Sequence, residues 1–440
     1  VIRRKLAAIG ASAQVGALVV TLASAALADS HTPPPIPPAP SLDTPLRASF
    51  FGDAVGVPLP RDVRSVLVMR REEPIYSEPS TRGGKRGAAI LGAHLPLFGV
   101  RRGPGCAGRW FHVGPHAFIC EDGAELSAAM PLALGSPEIP TQHGLPYDYH
   151  FVSPDGSFGY TELDSAELGV PNAQLQPGFG IAVERVVERT RGDAFGLTSR
   201  GFWVPMRDLR PARVVTYEGS TFTPDLAWVI REAATTYASP GGTRRSPPLQ
   251  RLTAVRVLEE VERGGVRYAR VGEGAWLRMS DLVKPSESPP PAELRPGERW
   301  IDIDLRRQTL VAYAGATPWF ATLTSTGRGP ARSESATPEG NYRIWVKLRT
   351  SDMDNLENIE AVENYAIEAV PWVMFFHRGY GLHGTFWHQR FGEVRSHGCV
   401  NLAPRDAERL FHWTQPKLPP GWSAVFPYAH ETGTLVRVRR

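Results

Sequence analysis

The sequence predicts a mainly β chain, with two or three small barrel-like modules ahead of one larger C-terminal β domain that carries one or two short helices. Three observations predict it. The 43 glycines and 41 prolines suit short strands joined by turns rather than long helices. A weak internal repeat runs between residues 60 and 285. Beyond a proline-rich break near residue 290 the pattern changes to longer alternating strands. At 440 residues the chain is too long for one ordinary domain, and 42% hydrophobic residues can furnish several cores.

The N-terminal segment has the three parts of a secretory signal. Arg3, Arg4 and Lys5 form a positive region, and residues 6–22 are small and apolar. Ala26-Leu27-Ala28 is a small-x-small cleavage site, so residues 1–28 are expected to be removed and the mature protein to start near Asp29. An uncleaved membrane anchor is the alternative that the length of the apolar run leaves open. The Arg3-Arg4 pair leaves Sec and twin-arginine export both open. The expectation is export across the inner membrane to the periplasm and cell wall, with no integral membrane segment after processing. The formal net charge is +4, and loss of the signal leaves 46 basic against 45 acidic residues. That balance gives no reason to expect a nucleic-acid partner. Residues 29–60 contain Pro33-Pro34-Pro35-Ile36-Pro37-Pro38-Ala39-Pro40, a semi-rigid extended spacer.

The repeat defines the next three modules, expected at 61–128, 145–215 and 216–285. Trp203-Val204-Pro205-Met206-Arg207-Asp208-Leu209 matches Trp276-Leu277-Arg278-Met279-Ser280-Asp281-Leu282. Upstream, Arg185-Val186-Val187-Glu188 matches Arg256-Val257-Leu258-Glu259. In the first copy Ile75-Tyr76-Ser77-Glu78-Pro79 parallels Thr236-Tyr237-Ala238-Ser239-Pro240, and residues 110–113 are read as its aromatic strand. Short, glycine-punctuated units with alternating apolar residues describe small β-barrels. They resemble bacterial SH3-like modules, which implies either a grip on wall peptides or a role as spacers.

Residues 286–297 are proline-rich and weakly apolar, a linker. In the domain that follows, at 298–440, Ile301, Ile303 and Leu305 alternate with Asp302 and Asp304, which reads as a half-buried strand. Strands are also expected at 309–313, 319–324, 342–346 and 370–376, with a closing strand at 434–438. Thr337-Pro338-Glu339-Gly340 makes a turn. A helix fits 404–413, with Pro404 in its first turn and Ala407, Leu410 and Phe411 on one face. The acidic and polar stretch 348–364 matches nothing assignable and is read as a lid.

Three cysteines in an oxidising compartment suggest one bridge and one free thiol. Cys106 and Cys120 flank a short β-like stretch and are the expected pair, against the alternative of two free buried thiols. Cys399 is then unpaired. It sits in the densest signal of the chain, Gly381-Leu382-His383-Gly384-Thr385-Phe386-Trp387-His388 followed by Ser396-His397-Gly398-Cys399-Val400-Asn401. A cysteine attacks a carbonyl carbon as its thiolate, and a neighbouring imidazole favours that form. A glycine just before it lets consecutive backbone N–H groups converge on a developing oxyanion. His377, His383, His388, His397 and Cys399 are also zinc-ligand types, but their spacing follows no common zinc pattern. No metal and no cofactor are expected.

This motif resembles the signature of the YkuD-type L,D-transpeptidases, and its flanks Val370-Pro371-Trp372-Val373-Met374-Phe375-Phe376 and Asp406-Ala407 agree. The resemblance covers residues 298–428 and implies a β-sandwich catalytic fold. It also implies a peptidoglycan stem peptide ending in D-Ala as substrate. It assigns Cys399 as nucleophile and His383 as base, with the Gly384 carbonyl holding the other imidazole nitrogen. The backbone at His397, Gly398 and Cys399 is implied to form the oxyanion hole. Ser396 and Asn401 are implied to brace the loop, and Trp387 and His388 to line the donor channel. Position 384 is Gly where many members have Ser. The implied acceptor is a second stem or a wall-attached protein. Two other functions stay open: a carboxypeptidase or cross-link hydrolase on the same scaffold, and a non-enzymatic wall-binding protein.

Overall fold

The computed structural model describes residues 62–132, 143–189, 192–213, 215–356, 365–428 and 431–440. The expected signal at 1–28 and spacer at 29–60 lie outside the described residues, as does the second half of the 348–364 stretch. The first half of that stretch belongs to the strand Val346–Asp354. The chain is mainly β, with two α-helices among the described residues, Leu163–Leu168 and Pro404–Trp413. Neither is long and apolar enough to cross a membrane. Chain contacts divide the protein into two compact units. One is Val1–Ser136 with Ser351–Asp354 and Pro420–Ser423; the other is Pro137–Thr350 with Asn355–Pro419 and Ala424–Arg440.

In the first unit, Ser65–Val68 lies between His94–Pro96 and Ala124–Ser127. A meander follows in the order Lys85–Ala89, Glu73–Tyr76, Ala117–Cys120, Trp110–Gly114 and Gly99–Arg101. Val66, Val68, Ile75, Leu95, Trp110, Phe111 and Ile119 are fully buried and supply its core. Cys106 and Cys120 form a disulfide.

The weak repeat has a structural counterpart. Each stretch contains a strand, a 3₁₀ turn and a second strand: Ala117–Cys120, Glu121–Gly123 and Ala124–Ser127 in the first. The second has Trp203–Pro205, Met206–Asp208 and Leu209–Pro211. The third has Ala275–Arg278, Met279–Asp281 and Leu282–Val283. In all three the strand after the turn pairs antiparallel with a strand near the start of its stretch, at 65–68, 148–152 and 226–229. The first copy is therefore in register at 117–124, one strand later than the aromatic run 110–113. That run is the neighbouring hairpin strand, and its Trp and Phe suggest the equivalence only because both strands have buried faces. Among the described residues no sheet of these stretches closes into a barrel.

The segment 286–297 lies along the C-terminal domain. Ser288 N–H donates to the Tyr313 hydroxyl at 3.0 Å, and Arg437 donates to the Pro289 carbonyl at 3.0 Å. The domain has two sheets. In the first, Thr317–Leu323, Thr309–Ala314 and Arg299–Asp304 form an antiparallel meander. Leu435–Arg439 joins it parallel to Arg299–Asp304 and antiparallel to Gly340–Arg343. In the second sheet Ala366–His377 pairs antiparallel with Tyr380–Gly384, which pairs parallel with Val400–Leu402. Between the sheets and the helix Pro404–Trp413 lies one apolar core. Ile301, Ile303 and Leu310 meet Trp372, Met374, Leu382, Val400 and Leu402, and the helix adds Ala407, Leu410 and Phe411.

The alternation at 300–305 proves to be a strand covered on both faces rather than half-buried. Asp302 and Asp304 are 1% and 3% exposed. The parallel neighbour explains this, because Arg437 and Arg439 project from it onto Asp302, and Arg439 and Arg307 reach Asp304. Buried carboxylates are tolerable only when paired in this way.

The helix has Pro404 at its start, where a missing N–H costs no hydrogen bond. Its last turn is held by buried Lys347, whose ammonium donates to the Phe411 and Thr414 carbonyls at the negative end of the helix dipole. Asp406, in the first turn, is fully buried and accepts from Gly219 N–H at 2.9 Å. It also accepts from the Thr322 hydroxyl, which in turn meets Tyr217 at 3.2 Å. This network ties the segment 217–219 to the C-terminal domain.

Candidate active site

The second sheet positions the site. The parallel register places Leu382 against Val400, His383 against Asn401 and Gly384 against Leu402. Cys399 directly precedes Val400, so it stands one position before the Leu382–Val400 pair and His383 one position after it on the neighbouring strand. The strand residues on either side are apolar and buried, which fixes the register. Cys399 is the free cysteine of the chain and is half-buried. Its Sγ lies 3.7 Å from the Gly379 carbonyl. Burial raises its pKa from the usual thiol range, with a backbone hydrogen bond from Gly381 working against that shift.

His383 is 2% exposed, and its Nδ1 sits 3.1 Å from the Gly384 carbonyl. A carbonyl only accepts, so Nδ1 carries the proton and Nε2 presents its lone pair. Burial lowers the His383 pKa to about 4, the Gly384 hydrogen bond opposing. The imidazole is thus neutral at neutral pH. Trp387 packs against it with ring centroids 5.7 Å apart, and Phe386 stands edge-on to Trp387 at 5.1 Å. Tyr149, from the strand Asp148–Val152, covers Phe386 at 4.1 Å and donates to the Ala369 carbonyl. The absence of a side chain at 384 has a local reason, since a Cβ there would meet Pro371 Cγ at 2.9 Å.

The loop carrying Cys399 is braced from inside and outside. Ser396 Oγ donates to the Cys399 carbonyl and accepts from Gly398 N–H at 3.0 Å. The Thr337 hydroxyl donates to the Gly398 carbonyl at 2.7 Å and accepts from Gly327 N–H at 2.9 Å. Gly398 adopts φ +127°, a conformation essentially confined to glycine. A Cβ there would also fall 2.4 Å from Tyr380 Cε1. Tyr380 itself is anchored through its hydroxyl on the Glu334 carbonyl at 2.9 Å.

Asn401 is 3% exposed; its backbone exchanges hydrogen bonds with Ser325, and its side chain meets His388 Nε2 at 2.9 Å. Arg390 N–H donates to His388 Nδ1 at 3.2 Å, and the Asn401 side-chain amide nitrogen faces the other ring nitrogen. Burial first, then Arg395 and His383, lower the His388 pKa to about 4. His397 is exposed, stacks on Tyr365 at 5.5 Å and accepts from Arg328 at 2.8 Å through Nε2. Burial of its ring, then Arg328, hold its pKa below the usual value.

The structure puts Ser396, Gly398 and Cys399 on one hydrogen-bonded loop and His383, Gly384 and Trp387 on the neighbouring strand and the turn after it, with Asn401 and His388 as an adjoining hydrogen-bonded pair. His397 belongs to the loop by its backbone, while its side chain points to Arg328. The imidazoles of His383, His388 and His397 each have a ring nitrogen engaged by the protein. Thr337, Arg328 and Tyr380 were missed by sequence reasoning as part of the site. Thr337 was visible only as a turn residue, and nothing local in the sequence marks Arg328 or Tyr380.

Residues 298–438 match the YkuD family, the L,D-transpeptidase catalytic domain. No curated protein matches the chain. Among solved structures, an Enterococcus faecium L,D-transpeptidase is 22% identical over 32% of this chain and 50% of that one, with a TM-score of 0.24. The Mycobacterium tuberculosis L,D-transpeptidase 3 is 20% identical over 32% of this chain and 61% of its own, with a TM-score of 0.26. A protein from Xylanimonas cellulosilytica, also an L,D-transpeptidase, is 19% identical over 34% and 64%, with a TM-score of 0.22. The chain therefore spans less than two thirds of the length of each of these three. The segment that contains Cys399 and His383 is the part of the chain similar to the YkuD L,D-transpeptidase catalytic domain.

Proposed function

We propose that the protein is a peptidoglycan L,D-transpeptidase of the cell wall. The observation that carries this reading is the parallel register of the His383 strand with the strand that directly follows Cys399, together with a neutral His383 whose Nε2 lone pair is left free by the Gly384 contact. Burial moves the thiol up and the imidazole down, so the resting pair is thiol and imidazole rather than thiolate and imidazolium. His383 then acts as a general base during attack.

The Cys399 proton passes to His383 Nε2 as Sγ adds to the carbonyl carbon between the L-centre of meso-diaminopimelate and D-Ala. Gly398 N–H is engaged by Ser396, so stabilisation of the oxyanion falls to the N–H groups of His397 and Cys399. Collapse breaks the C–N bond, and D-Ala leaves with the proton from His383. An amine of a second stem, or of a wall-attached protein, then attacks the thioester. Its proton returns through His383 to the thiol as the new amide forms. Trp387, Phe386 and Tyr149 form an apolar wall that shields the thioester from water. Such a role requires export, consistent with the apolar stretch at 6–22 and the Cys106–Cys120 disulfide.

The test is mass spectrometry of a disaccharide-tetrapeptide muropeptide incubated with the protein and with Cys399→Ala. A product equal to two muropeptides less one alanine, absent with the variant, is expected. Loss of alanine without a dimer would reassign the protein as a carboxypeptidase. No product from the intact protein would overturn the reading.

A further inference from the structure

We propose that a basic cleft on the outer side of the catalytic loop, lined by Arg306, Arg328, Arg395 and Arg440, binds the free carboxylates of a stem peptide; this rests on the function proposed above.

Two adjoining hollows, of about 360 and 550 Å³, share Leu305, Arg306, Arg328 and Val394. Neither is lined by Cys399. Both lie against the loop that carries it, because Arg328 holds His397, Gly327 bridges to Ser396, and Thr337 holds the Gly398 carbonyl. A ligand gripped here is therefore tied to the nucleophile loop through three separate contacts.

The charge is one-sided. Four of the lining residues are arginines and one, Glu393, is acidic. Glu393 is already shared among Arg251 at 3.3 Å, Arg390 at 3.7 Å and Arg395 at 3.8 Å. Arg440 meets Glu339 at 3.0 Å. The Arg306 guanidinium has no partner among the described residues, and the Arg328 guanidinium has only a neutral imidazole. Like charges gathered on a concave surface repel one another and lower the potential energy of an anion placed among them. Guanidinium forks match carboxylates in a bidentate geometry.

The shape selects among anions. Leu305, Ala336 and Val394 give the cleft an apolar floor, and Val394 is 49% exposed. A floor of this kind suits an aliphatic chain carrying carboxylates at intervals, and the volume suits a short peptide rather than a bare inorganic ion. A stem peptide has both features, with methyl and methylene groups between its carboxylates.

The experiment is calorimetric titration of full-length Cys399→Ala with a disaccharide-tetrapeptide, and with the same muropeptide after amidation of its free side carboxylates. Arg306→Gln and Arg395→Gln are added singly and together, with urea midpoints reporting that each variant is folded. The free-carboxylate ligand should bind about three- to tenfold more tightly than the amidated one, and the double variant should erase that preference. Affinity for the amidated ligand should stay unchanged. Equal affinity for the two ligands, or a preference that survives the double variant, would overturn the proposal. Turnover by the intact protein reads the proposed function separately. Carboxylate preference without thioester formation sinks the function and keeps the cleft; turnover without the preference sinks the cleft alone.

Discussion

Replacing Asp406 by Asn should remove a pH dependence of stability that the fold builds into its catalytic domain. Asp406 is fully buried, and burial raises its pKa to about 7 despite hydrogen bonds from Thr322 and Gly219. An acid whose folded pKa lies above its unfolded value is stabilised in its protonated form. Its contribution is fully present below the unfolded pKa of about 4 and is lost as pH rises through 7. A shift of roughly three units corresponds to about 4 kcal/mol in total, of which about 2 kcal/mol falls between pH 5 and 7. His383 and His388 work in the opposite direction. Their pKa values are lowered to about 4, so their neutral burial favours folding increasingly as pH rises from 4 towards 6.5. The raw pH profile therefore mixes both, and the difference between the parent and Asp406→Asn isolates Asp406. The assay is the urea midpoint at pH 5, 6, 7 and 8 for each protein. The parent should lose stability relative to the variant by about 2 kcal/mol from pH 5 to 7 and stay level above 8. A pH-independent difference would refute the reasoning, and would mean that Thr322, Gly219 and the helix N-terminus keep the carboxylate ionised.

Three further outcomes are expected. Gly398→Ala should destabilise the domain by about 2–4 kcal/mol, from backbone strain at φ +127° and collision with Tyr380. Tyr380→Ala in the same chain should recover only the collision share, as read by urea midpoints; an unperturbed single variant would disprove the geometry. Alkylation of Cys399 by neutral iodoacetamide should keep rising above the ordinary thiol pKa of about 8.5, with no step near 6.5. A plateau at pH 6 to 7 would indicate a preformed thiolate–imidazolium pair. Changing Cys106 and Cys120 together to Ser should cost about 3 kcal/mol, the chain-entropy value for a sequence separation of 14. Unchanged unfolding under urea would show that the bridge is dispensable.

Much of the C-terminal domain was legible because its signals are local. Alternation marked the strands near 301 and 309, and Pro404 with Ala407, Leu410 and Phe411 marked the helix at 404–413. The His383 and Cys399 motif pointed to one site because thiol, imidazole and glycine types lie close in sequence. Where local pattern misled, a partner distant in sequence was responsible. Asp302 and Asp304 looked solvent-facing, yet Arg437 and Arg439 arrive from more than 130 residues away to cover them. The aromatic run 110–113 looked like the repeat strand, but pairing of 124–127 with 65–68 sets the true register.

The sequence alone determined the chemistry types, the strand and helix rhythm and the resemblance of residues 298–438 to the YkuD family, all of which depend on residue identity and short spacing. Tertiary structure decided the rest. The parallel pairing of 382–384 with 400–402 sets the His383 strand beside the one that follows Cys399, and the Gly384 carbonyl decides which imidazole nitrogen is basic. Burial, not composition, moves Asp406, His383 and Cys399 away from their ordinary pKa values. Thr337, Arg328 and Tyr380 reach the loop across 18 to 69 residues of chain. Solvation and long-range contact are properties of the packed protein, and no window of sequence contains them.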